Sequence, residues 1–191
     1  AADEVIKLLI EIGLLDAWSN QNNPFQRDTH VVINNKFLSK KELYLALPLV
    51  RLTYILSDSG LAYLRFSKRL QQRCQRLRKW QQRNDGLAFE TLKEEDRFQL
   101  HKDLEQDLPA LILQLSFKDQ EVWINRWRNL KDPLFHPCSP VNGKTLQELL
   151  NFPQSPKLGF LLHHLSHERA FGRLSNIDET LQEALHWWKH N

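Results

Sequence analysis

The sequence predicts an all-α protein: an irregular helical bundle followed by a small helical tail domain. Apolar residues recur at helical spacing along most of the chain. Two-residue alternation is confined to the short run Val31-Val32-Ile33. Helix start and stop signals also follow one another in order from one end to the other. A proline-rich interruption near residue 135 then separates two helical textures.

Each element has its own signal. Residues 2–12 form an amphipathic helix closed by Gly13, with Leu14 and Leu15 expected to pack just beyond it. Lys7 and Glu11 interrupt that apolar stretch, which lacks the charged start and cleavage site of a signal peptide. Asn20 to Pro24 reads as a loop. Ser39 with Glu42 is a capping box that opens a helix to about Leu56, with a kink expected at Pro48. A basic helix follows over 65–83 and ends at Asn84-Asp85-Gly86. Thr91 with Glu94 reads as a second capping box, and Ser116 with Asp119 as a third helix start. Trp123 and Trp127, an i,i+4 pair, read as core anchors, with base-stacking platforms as the alternative. Lys131 to Gly143 holds three prolines and a glycine and cannot be a regular helix. The expected organisation is therefore a body over 1–131, a hinge over 132–143 and a tail domain over 144–191. In the tail, Ser155-Pro156 is an N-cap with Pro at the first helical position, Gly172 ends that helix, and Asn176 with Glu179 caps the last one.

Composition narrows the class. At 191 residues the chain can bury a core, and 41% hydrophobic with 26% charged residues is ordinary for a globular protein. No stretch approaches the roughly 18 apolar residues of a membrane span. Cys74 and Cys138 lie far apart without CxxC spacing, so reduced thiols and a cytoplasmic location are expected. The chain has no methionine, which suggests a processed protein or a piece of a longer one.

Charge is the most telling feature. The whole chain carries 26 basic and 23 acidic residues, a formal +3. Residues 65–83 hold eight Lys or Arg and no acid, and outside them acidic residues outnumber basic ones by five. On a helix, Arg65, Lys68, Arg69, Arg73, Arg76, Lys79 and Arg83 fall within an arc of roughly 140°. Phe66, Leu70, Cys74 and Leu77 fill a separate docking stripe of roughly 80°, with Arg78 beyond it and Trp80 on its border. Solvated faces usually interleave Glu with Lys, whereas here like charges sit four residues apart. The pattern favours phosphate binding over a merely solvated face. DNA, RNA and an acidic protein surface all fit it.

The tail carries a family resemblance. Gly143 to Leu146, then Pro153, Pro156 and Gly159, then Gly172-Arg173-Leu174-Ser175-Asn176, then Glu183-Ala184-Leu185 follow one another in order. This order resembles the tail of bacterial CCA-adding enzymes, in the class II tRNA nucleotidyltransferase and poly(A) polymerase family. His136-Pro137, Leu64 to Arg69 and Ile12 to Leu15 are similar to further stretches of that family. Ser155 departs from it, standing where the family commonly has Gly. The resemblance implies that body and tail hold the elbow of tRNA, while a separate N-terminal head domain adds nucleotides. Beside it, the start of the Ser155-Pro156 helix with Lys157 reads as a phosphate site. Gly159 would admit either an RNA backbone or a neighbouring helix.

Catalytic motifs of that family are missing from the sequence. No Gly-Ser turn precedes two carboxylates on one strand, and no Arg-Arg-Asp is present. The nearest match to Glu-Asp-x-x-Arg is Glu95-Asp96-Arg97-Phe98-Gln99, which ends in Gln. Val50 to Gly60 has the rhythm of an HD phosphohydrolase helix, but Ser57 stands in place of the metal-binding His. His163 with His167, and His186 with His190, are i,i+4 pairs that could share a metal, without the HExxH order. No cofactor is expected in this chain, Mg²⁺ and a nucleoside triphosphate belonging to the head. The expected function is RNA binding, tRNA foremost, through Arg65, Lys68, Arg69, Arg73, Arg76, Lys79 and Arg83 on the body. Lys144, Lys157, Gly159 and Arg173 would add to it from the tail. The alternative is a helical protein-interaction module whose basic helix docks an acidic partner.

Overall fold

Ten α-helices make up the fold in a computed structural model that describes residues 2–19, 36–83 and 89–191. They are α1 (Ala2–Glu11), α2 (Lys40–Ile55), α3 (Asp58–Tyr63), α4 (Lys68–Arg83), α5 (Glu94–Leu104) and α6 (Leu108–Ile112). After them come α7 (Phe117–Arg128), α8 (Gly143–Leu150), α9 (Pro156–Ala170) and α10 (Ile177–His190). No strand occurs among the described residues, and no helix among them is long and apolar enough to cross a membrane. The loop at Asn20–Pro24, the Val31–Ile33 run and the Asn84–Gly86 stop lie outside the described residues.

Local chemistry sets most helix ends. Ser39 and Glu42 form the expected reciprocal box, Ser39 Oγ accepting from Glu42 N at 3.3 Å and Glu42 accepting from Ser39 N at 2.6 Å. Ser116 Oγ accepts from Asp119 N, and Asn176 Oδ1 accepts from Glu179 N. Thr91 does not open α5: Lys93 occupies its N-cap and makes no side-chain bond there. Ser155 holds the N-cap position of α9, yet its hydroxyl is buried and caps nothing. Leu14, expected to pack, is 56% exposed.

Among the described residues, three helices end in the same turn. After α1, Gly13 N bonds to Ile10 O and Leu14 N to Leu9 O. After α9, Gly172 N bonds to Arg169 O and Arg173 N to Glu168 O. After α3, Arg65 N bonds to Ala62 O and Phe66 N to Leu61 O. Each is a Schellman motif, whose central residue must adopt the left-handed conformation. Glycine does so twice, with φ of 68° at Gly13 and 76° at Gly172, but at φ 57° the third is Arg65. A residue with a Cβ loses about 1–2 kcal/mol in that conformation.

The chain divides into two units. The first comprises Ala1–Leu87 and Gln106–Asn125, the second Ala88–Glu105 and Arg126–Asn191. In the first, α2 packs on α4 and α6, and α3 packs on α4. Leu49, Leu61, Cys74, Leu77, Trp80, Leu108, Leu111 and Ile112 are its buried centre. In the second, Leu146, Phe152, Leu158, Leu161, Leu165, Leu174 and Ala184 form a core between α8, α9 and α10. The 132–143 segment lies inside the second unit rather than between two units, and α5 belongs there as well. The physical reason is visible in its side chains: Leu134, Phe135 and Val141 are buried, and Asp132 accepts from Leu134 N and Phe135 N.

Candidate nucleic-acid interface

The basic helix is anchored more broadly than one stripe. Cys74, Leu77 and Trp80 have no exposed surface, so Trp80 is a core residue and not a border one. Arg78 is also buried at 7% exposure. Its Nη2 donates to Leu56 O at 2.7 Å, and its Nη1 pairs with Asp58. Three neighbouring helices cover α4, which widens the buried sector to about 160°. Burial pushes the Cys74 thiol up to about 11, so it stays protonated and unreactive at neutral pH.

Not all seven expected cations reach the water-facing side. Lys68, Arg69 and Arg76 do: each is exposed and without an ion pair among the described residues. Lys79 is exposed with its ammonium 4.6 Å from the Trp80 ring centroid. These four lie within about 100° of the helix surface, with exposed Gln72 and Gln75 on the same side. Arg73 is a correction. It grips the carboxylate of Asp107 with Nε at 3.0 and 3.1 Å and Nη2 at 2.6 Å. That hydrogen-bonded pairing raises its pKa further and spends its charge inside the first unit. Arg65 is a second correction: it is exposed, but it sits in the α3–α4 turn and not on the helix. Arg83 closes α4, and its side chain lies outside the described residues.

The tail residues behave differently. Lys144 lies 3.6 Å from Glu148 one turn on, both well exposed. Lys157 lies in the first turn of α9, but its ammonium is engaged within the tail: it donates to Trp188 O at 2.8 Å and lies 4.5 Å from the Trp188 ring centroid. It caps the end of α10 instead. Arg173 is held by two carboxylates, Glu168 at 2.6 and 3.0 Å and Glu94 at 2.9 Å. The same hydrogen bonds hold the Glu168 carboxyl below its usual range. Gly159 is exposed, and a Cβ there would meet nothing within 4 Å, so no neighbouring helix among the described residues requires it.

Several of the remaining candidates have contacts within the protein. Ser57, where an HD helix would carry His, caps α3 through Gly60 N at 2.9 Å and donates to Trp18 O at 3.0 Å. Trp123 is buried, as a core anchor would be, whereas Trp127 is half-buried and its Nε1 donates to Glu105 O at 2.8 Å. His163 and His167 lie edge-on to Phe98, and Glu95 lies 3.5 Å from His167. Among the described residues no group of three or more His, Cys, Asp or Glu is placed to hold a metal ion. Tyr63 was not picked out by its sequence context, yet it is 73% exposed and stacked on Trp18 at 5.9 Å.

Comparison with protein-family models, curated proteins and solved structures gave no match.

Proposed function

We propose that this chain holds structured RNA, tRNA foremost, as the RNA-binding body and tail of a CCA-adding or poly(A) polymerase-like enzyme. One observation carries the proposal: Lys68, Arg69 and Arg76 share one exposed side of α4 with no carboxylate partner among the described residues. From Lys68 to Lys79 the row spans on the order of 16 Å, long enough to meet several phosphates. Each phosphate so neutralised releases condensed counterions, which drives binding and makes it salt-dependent. Gln72 and Gln75 add neutral donors and acceptors for sugar or phosphate oxygens. Contacts of this kind read the backbone geometry of an A-form helix rather than its base edges. The ordered motifs from Gly143 to Leu185 support the same reading through their resemblance to the tails of CCA-adding enzymes. In this account the tail contributes shape, including the bare backbone at Gly159, while α4 contributes the charge.

Titration of the 191-residue chain with tRNA across salt tests the proposal. Binding that weakens steeply with salt and prefers tRNA to duplex DNA is the expected result. A weak response, equal for any polyanion, would favour docking of an acidic protein instead.

A further inference from the structure

We infer that the α3–α4 corner, Tyr63 with Arg65, takes one unpaired nucleotide of the RNA, the ring stacking on its base and the guanidinium holding a phosphate. The inference rests on the RNA-binding reading of α4 and adds to it a site of different chemistry. Its first ground is the turn itself. The same pair of backbone hydrogen bonds closes α1, α3 and α9, and glycine fills the left-handed position in α1 and α9. The turn therefore asks for no side chain. Arg65 nevertheless carries one, exposed and without an ion pair among the described residues. Nothing described within the protein accounts for an arginine there, whereas an external anion does.

The second ground is the ring two residues earlier. Tyr63 is 73% exposed, and its ring lies 26° from the plane of Trp18. One side of the ring is supported while the rest faces water. Trp18 is itself fixed: its carbonyl accepts from Ser57 N at 2.8 Å and from Ser57 Oγ at 3.0 Å. Gly60 approaches so closely that a Cβ would lie 2.4 Å from Trp18 O. The platform is thus set before any ligand arrives. A base inside a duplex has both faces covered, so an exposed aromatic face selects an unpaired one. Tyr63 and Arg65 have Cα atoms within about 7 Å of each other, within reach of a single nucleotide. Lys68 opens α4 three residues further on, which makes the corner continuous with the cationic row.

The test compares a blunt RNA hairpin with the same hairpin carrying a short unpaired extension, using the full chain. The wild type should bind the extended hairpin about tenfold more tightly, the size of one base–aromatic stack. Tyr63→Ala and Arg65→Gly should each abolish that preference, and Tyr63→Phe should keep it. Arg69→Ala should weaken both hairpins alike. Arg65→Gly should also raise Tm by about 2–4 °C, because relieving a strained turn stabilises a domain of this size. Equal binding of the two hairpins by the wild type would overturn the corner. So would a preference that survives both Tyr63→Ala and Arg65→Gly while Arg69→Ala still weakens binding, and the α4 reading would then stand alone. Absence of salt-dependent binding to either hairpin would overturn both.

Discussion

The cations of α4 and those of the tail differ in what surrounds them, although the sequence presents both as candidate phosphate contacts. On α4, Lys68, Arg69 and Arg76 project from a helix that carries no acid of its own, and no described carboxylate reaches them. In the tail, Lys157 is committed to the end of α10 and Arg173 to Glu168 and Glu94. Arg73 shows that the same fate can befall a residue on α4, since Asp107 takes it. A run of positive charge therefore measures binding capacity only after internal partners are subtracted. Unopposed charge is available to a polyanion, whereas paired charge is structure.

The largest expected effect comes from removing the anchor that presents the row. Trp80→Ala should destabilise the protein by about 3–5 kcal/mol in urea denaturation, because it empties a fully buried aromatic site. An exposed Arg69→Gln should stay within about 0.5 kcal/mol of wild type in the same assay.

Acid should have the next largest effect. His101, buried against Phe135, has its pKa lowered from 6.5 to about 3, by burial first and then by Arg126. The unfolded chain takes up this proton below about pH 6.5 while the folded one does not. The stability that neutral His101 contributes is therefore present above that pH and lost as pH falls toward 3. The slope should be about 1.4 kcal/mol per pH unit, and His101→Leu should flatten it between pH 6 and 5. Thermal melts across that range check the sign.

Smaller effects sharpen the comparison itself. Arg69→Gln with Arg76→Gln should lower tRNA affinity at least about tenfold with Tm unchanged, as measured by filter binding and calorimetry. Arg173→Gln should reverse the pattern. It should cost less than about 1 kcal/mol, as partly exposed ion pairs do, and leave tRNA affinity unaltered.

What could be read in the sequence was local. Ser39 with Glu42, Asn176, Gly13 and Gly172 act on backbone groups within a few residues, so their roles follow from spacing alone. The alignment of Leu77 with Cys74 on a docking face was legible for the same reason. Pairings across the chain were not: Asp107 lies 34 residues from Arg73, and Glu94 lies 79 from Arg173. Arg78 looked like one more cation until Asp58 and the Leu56 carbonyl enclosed it. Short α3 escaped notice because six residues give too little periodicity, and its cap, Ser57, resembled a substituted catalytic position. Arg65 could not be placed either, since the left-handed turn it occupies is signalled by glycine or asparagine. The Thr91 pattern misled in the opposite direction, its box signal being overridden two residues later at Lys93.

The most direct measurement is the salt dependence of tRNA binding for Arg69→Gln/Arg76→Gln beside that of Arg173→Gln. Plotted as log affinity against log salt, the double variant should lose about 1.8 from the wild-type slope, close to 0.9 per phosphate contact. Arg173→Gln should superimpose on wild type. A double variant whose slope matches wild type, or an Arg173 variant that flattens it as much, would contradict the claim that α4 keeps its charge for RNA while Arg173 spends its own inside the protein.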